Sequence, residues 1–193
     1  MQGRILDREL LDAVEALGAE AFESTAWRVA WRTQDVLRGG PGGRWNPTHF
    51  PALYTSLEKH GAIAEVYSLL SKMPVFSSAD KLIYRLQIKT RNTLVLDDPE
   101  KLASVGLDLF RDHHRNKKQC QLVGEAAYRL DYDSLLVPSV RWECLNLVLF
   151  PALLESTDIA VIEAHDINWP VWAEQNAEAV REYTRQIRKL SNI

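Results

Sequence analysis

The chain has 193 residues, 46% of them apolar and 25% charged, ordinary globular values that exclude a disordered or fibrous protein. Lysine and arginine number 23 against 26 acidic residues, so the net charge of -3 offers no general attraction to nucleic acid or to an anionic membrane surface. No apolar run reaches the roughly 18 to 20 residues that span a bilayer, and the opening "MQGRILDRELLDAVEALG" alternates charge with leucine instead of building a signal-peptide core, so the expectation is a cytoplasmic protein.

Asp7 is placed to cap a first helix carrying Leu10, Leu11, Val14 and Leu17 at helical spacing. "AWRVAW" then alternates as a strand, with Trp27, Val29 and Trp31 on one face and Arg28 and Arg32 on the other, turned to a cleft or to solvent. The loop "GGPGGRWNP", residues 39–47, sets Arg44, Trp45 and Asn46 side by side among four glycines and two prolines. Glycine lets backbone approach a ligand, a guanidinium forks onto phosphate and an indole offers a stacking face, while the plain alternative is a turn whose Trp45 fills the core.

"PALYTS" reads as a short strand carrying Tyr54, followed by a helix from Leu57 to about Met73 capped by Ser56. Ile63, Val66, Tyr67 and Leu70 form that helix's core stripe with Glu65 at its edge, where no Lys or Arg one turn away pairs with it. Glu65 is therefore either a site carboxylate or a boundary glutamate reaching solvent.

"KLIYRLQIK" alternates as a half-buried strand, and "DDPEKLASVG" has Asp98 as cap, Pro99 at the first helical position and Gly106 as the stop. The basic run "RDHHRNKK", 111–118, holds adjacent His113 and His114, whose side chains diverge on any regular element, so no metal is assigned. Cys120 and Cys144 lack C-x-x-C spacing and are expected as buried small residues. A helix over "QLVGEAAYRL", two strands around a turn in "SLLVPSVRWECLNLVLFP" with Ser139 and Asn146, a strand "DIAVIEA" and a helix from Pro170 to about Leu190 complete the chain. Trp169 and Trp172, near the start of that helix, serve packing or docking. Strands and helices mix without regular alternation and no glycine motif matches a dinucleotide fold or P-loop. The expected fold is α+β, a mixed β-sheet core flanked by helices, in a single domain over 1–193.

The ordered set "WRVAW", "GGRWNP", "ALYTSLEKHGAIAEV" and "LLVPSVR" with "NLVLFP", within residues 26–151, resembles the RES domain family of bacterial toxins. The resemblance implies a fold related to ADP-ribosyltransferases and chemistry on NAD, by phosphorolysis with inorganic phosphate or by hydrolysis. The alternative within that fold is ADP-ribose transfer to a protein; the alternative outside it is a non-catalytic binding module. It further implies an Xre-type antitoxin as partner, through which any nucleic-acid contact would run, and no membrane. The family's signature falls on Arg28, Glu65 and Ser139 as catalytic residues, with Arg44 and Tyr54 as pocket residues; the loop around Arg44 adds Trp45 and Asn46 as expected dinucleotide-binding residues, and no metal ligand is assigned. The chain departs from patterns seen in the family at Val29, Leu69 and Lys118. The chemistry fits these residue types. Breaking the nicotinamide–ribose bond releases a neutral leaving group from an oxocarbenium-like sugar, which calls for an anion beside the ribose and cations on the pyrophosphate.

Overall fold

The capping signals at the two ends of the sequence's clearest helices are realised in the computed structural model, which describes residues 7–73, 80–108 and 113–190. Asp7 accepts from the Glu9 amide at 3.1 Å and opens α1 (Arg8–Ala16). Asp98 accepts from the Lys101 amide at 2.8 Å and opens α3 (Pro99–Ser104), with Pro99 in its first turn and Gly106 at φ 71° just beyond its end. The strands are β1 (Glu20–Trp31), β2 (Leu53–Ser56), β3 (Lys81–Val95), β4 (Ser134–Pro138), β5 (Leu145–Leu149) and β6 (Ile159–Asp166). The remaining helices are α2 (Lys59–Leu70), α4 (His113–Arg129) and α5 (Trp169–Leu190), with a short 3-10 turn at Pro151–Leu153.

The sheet is mixed, ordered β1-β2-β5-β4-β3-β6, with β3 and β4 parallel and the other neighbours antiparallel. Because β3 also pairs with β1 over most of its length, five strands close into a ring and β6 extends β3 outward. One face of the ring gathers Ala26, Leu53, Leu86, Leu136 and Leu147, one from each strand, into a single core. Fully burying each leucine contributes about 1.5–3 kcal/mol to the frame. The opposite face is covered in two halves: α2 and α5 pack through Ile63, Trp169 and Trp172 over β1 and β3, and α1, α3 and α4 through Val14, Leu102 and Val123 over the rest. Trp169 and Trp172 are thus packing residues.

The mixed sheet with flanking helices matches the sequence expectation, with several local corrections. Ser56 does not cap α2. It ends β2, paired with Trp27 and Asn146, and the helix starts at Lys59 after a Glu58 that makes no side-chain cap. β1 and β3 run well past the predicted alternation because their outer ends are polar; Thr90 and Thr93 are buried there by bonding each other, Phe22 O and Ser134. α4 begins eight residues before the predicted segment, at His113, while residues 111 and 112 of the basic run lie outside the described residues. Cys120 is buried but Cys144 only partly so. No helix among the described residues is long and apolar enough to cross a membrane.

Candidate active site

The ring is weakest between β1 and β2. Their ladder is a single pair, Trp27 with Ser56, and beyond it the Arg28 guanidinium, not the backbone, spans the gap by donating to Tyr54 O at 2.8 Å. A cavity of about 460 Å³ opens there, bounded by β1, the glycine loop, β2, α2 and the β4–β5 turn. Four cationic residues, Arg28, Arg44, Lys72 and Arg141, line it beside one carboxylate, Glu65. An acidic chain therefore holds a locally cationic pocket, the arrangement that receives a phosphate-bearing ligand.

Glu65 reaches the cavity because α2 lies unusually close to the sheet. Gly61 makes this possible: a Cβ there would sit 2.4 Å from both Cys144 Sγ and Ser56 Oγ. One turn on, Glu65 Oε1 accepts from Ser139 Oγ at 2.9 Å and from Asn146 Nδ2 at 3.2 Å. No hydrogen bond from a described residue is given to Oε2, so the carboxylate is gripped through one oxygen with the other left for a ligand. Ser139 is 1% exposed and its hydroxyl also accepts from the Arg141 amide at 3.1 Å, so it stands behind Glu65 and not on the cavity wall.

The glycine loop is built from the inside by Asn46. Its Nδ2 donates to Gly40 O at 3.0 Å and Phe50 O at 2.7 Å, while Oδ1 accepts from the Gly43 amide at 3.1 Å and the Tyr54 hydroxyl at 2.8 Å. Tyr54 Oη in turn accepts from the Trp45 amide at 2.8 Å. The sequence assigned Asn46 to ligand binding, but it is fully buried, off the cavity wall, and its amide is consumed in closing the loop. Tyr54 offers the cavity its ring only, since its hydroxyl is spent and burial raises its pKa. Trp45 is 2% exposed in the core and also walls the cavity.

Helix α4 clamps the loop from outside. Gln121 Nε2 donates to Gly43 O at 2.8 Å and Lys117 Nζ to Gly42 O at 3.0 Å, and at Gly124 a Cβ would fall 1.7 Å from Trp45 O, so only glycine permits this approach. The clamp presents Arg44 to the cavity, near enough to Cys120 to hydrogen-bond its thiol; burial nonetheless pushes that thiol up to about 11. Arg28 is mostly enclosed, which lowers its pKa, and its Nε is buried without a partner. A donor left unmet at a cavity wall is one a bound ligand can satisfy.

The structure thus brings together Arg28, Arg44, Trp45, Tyr54 and Glu65 on one cavity, sets Ser139 directly behind it and leaves Asn46 beneath the loop. Sequence reasoning gave no site role to Asn146, Arg141 or Lys72. The signal for Asn146 was a lone amide at a strand position facing Ser56, and for Arg141 a cation two residues after Ser139. Of the departures, Leu69 lines the cavity mouth at 64% exposure and Val29 lines its wall.

The RES domain model matches residues 25–174. The NAD(+) phosphorylase MbcT of Mycobacterium tuberculosis is 31% identical over 145 residues, covering 69% of this chain and 77% of that protein, and the protein of the same name from Mycobacterium bovis matches equally. Among solved structures, the crystal structure of the M. tuberculosis MbcT-MbcA toxin–antitoxin complex contains a chain that superposes with a TM-score of 0.79 at 24% identity, over 90% of this chain and 100% of that one, a likeness of fold. Motifs, geometry and these matches agree, and the chain belongs to the RES domain family.

Proposed function

We propose that this chain is the toxin of a bacterial toxin–antitoxin pair and that it breaks the nicotinamide–ribose bond of NAD, passing the ADP-ribose unit to inorganic phosphate. Relatives named NAD(+) phosphorylase at 31% identity support the reaction class. The observation that carries it in this chain is the Glu65 carboxylate, held through Oε1 in a cavity with four cations. In this reading Arg28 and Arg44 grip the pyrophosphate, Arg28 through the buried Nε that has no protein partner. Glu65 Oε2 accepts from a hydroxyl of the nicotinamide ribose and faces the anomeric carbon.

The bond pair between that carbon and the ring nitrogen leaves with nicotinamide, which departs neutral. The ribose carries positive charge until a phosphate oxygen adds, giving ADP-ribose 1″-phosphate. No general acid is needed for such a leaving group. Its contribution is fixed negative charge at the developing cation and fixed positive charge on the phosphates, both amplified where water is excluded. Trp45 and Tyr54 supply flat apolar walls.

The whole chain acts in this reading as one cytoplasmic domain, and its partner is an Xre-type antitoxin whose segment covers the cavity. The M. tuberculosis neighbour, solved as a toxin–antitoxin complex, supports a partner of the antitoxin kind. Expression in a bacterial host without a partner tests the reading. Cellular NAD should fall and growth should stop, and normal NAD in cells that contain folded chain would refute it.

A further inference from the structure

Asn146 lines the same cavity, yet no role follows for it from the family signature. It sits on β5 opposite Ser56 of β2 and Val137 of β4, a row that brings its amide under α2. Nδ2 donates to Glu65 Oε1 at 3.2 Å, while Oδ1 is buried and has no partner. The orientation is dictated by chemistry: a carboxylate oxygen only accepts, so the amide must turn its N–H toward Glu65 and its carbonyl away.

The two groups gripping Oε1 are not equivalent. A hydroxyl donates or accepts, whereas an amide N–H only donates, so Asn146 can hold Oε1 only as an acceptor and favours the carboxylate. Ser139 is also the acceptor for the Arg141 amide, which makes it part of the turn's own structure. Asn146 makes no other side-chain hydrogen bond among the described residues, so its placement serves Glu65.

We infer that Asn146 is the positioning residue of this site: Nδ2 fixes Glu65 with Oε2 toward the sugar. This rests on the proposed reaction at the nicotinamide ribose.

The test is a cycle of four proteins, the parent, Asn146→Ala, Glu65→Gln and the double variant, each assayed for nicotinamide release and for NAD affinity by calorimetry. Asn146→Ala should lower kcat by ~10- to 100-fold with KM rising only a few-fold, and should cost less than about threefold more in the Glu65→Gln background, because its partner is already disabled. Asn146→Asp keeps the shape, so it guards against a folding failure of the alanine variant. It replaces the donor with a second acceptor and should lose at least as much kcat as alanine. Parent-like turnover by Asn146→Asp, or fully additive losses in the double variant, would overturn the inference while the reaction assignment stands. A folded parent that releases no nicotinamide would overturn both.

Discussion

Glu65→Gln is the sharpest perturbation the geometry offers. Glutamine preserves the side chain's length, and its carbonyl can still accept from Ser139 and Asn146 as Oε1 does at 2.9 and 3.2 Å, so fold and pocket shape should persist. What disappears is the charge. Two unit charges about 4 Å apart interact by about 4 kcal/mol at an effective dielectric near 20, and removing a preorganised group that meets transition-state charge costs about 2.7–4 kcal/mol in other enzymes. The two figures agree on a fall in kcat of ~10²- to 10³-fold. Ground-state NAD affinity should change little, because the sugar acquires its positive charge only as the bond breaks. Single-turnover nicotinamide release, paired with calorimetric NAD titration and thermal melting, checks all three statements. A folded Glu65→Gln protein that turns over within threefold of the parent would show that this carboxylate is the boundary residue of the plain reading.

Three other outcomes follow from the frame that holds the site. Tyr54→Phe strands the Trp45 amide that Tyr54 Oη now accepts from at 2.8 Å, and a buried unmet donor costs about 1–3 kcal/mol; for a chain of this size differential scanning calorimetry should show Tm lower by roughly 2–12 °C. Gly61→Ala forces a Cβ to within 2.4 Å of Cys144 Sγ and Ser56 Oγ, so α2 must shift and carry Glu65 with it; kcat should fall by ~10²-fold and recover in part when Cys144→Ala is added, as measured by nicotinamide release. Burial holds the Cys120 and Cys144 thiols up at about 11 against an ordinary 9.0, so the folded state keeps these protons more tightly than the unfolded chain does. Their contribution to stability is complete below about pH 9 and is lost as pH rises toward 11, a decline to which the half-buried Tyr54 and buried Tyr132 phenols add. Urea midpoints taken from pH 8 to 10.5 should fall, and Cys120→Ala should make that fall shallower.

Local chemistry made some of this legible in the sequence and hid the rest. Asp98, Pro99 and Gly106 each satisfy a backbone requirement within a few residues, so α3 could be read from its own letters. Ser56 looked like a cap by the same rule, but strand pairing with Asn146 claimed it first, a contact 90 positions away that no local window contains. The ends of β1 and β3 were missed for a related reason, since Thr90 and Thr93 are polar yet buried by bonding to each other.

At the site, residue type made Arg28, Arg44 and Glu65 candidates but left each open, and it was the resemblance that singled them out; all three line the cavity. Asn46 misled because an amide in a glycine loop suits a ligand and a loop closure equally, and only its hydrogen bonds within the loop and to Tyr54 distinguish the two. Asn146 escaped for the opposite reason: it interrupts an apolar strand at the position where three elements converge on Glu65, which only the folded register reveals.

The most direct measurement is the mass of the products. Purified chain incubated with NAD and inorganic phosphate should yield nicotinamide together with ADP-ribose 1″-phosphate, in equal amounts and in a Glu65-dependent manner. Intact NAD after incubation with folded protein would contradict the proposed chemistry outright. Free ADP-ribose, or ADP-ribose attached to a protein, would keep the bond cleavage and replace phosphate as the acceptor.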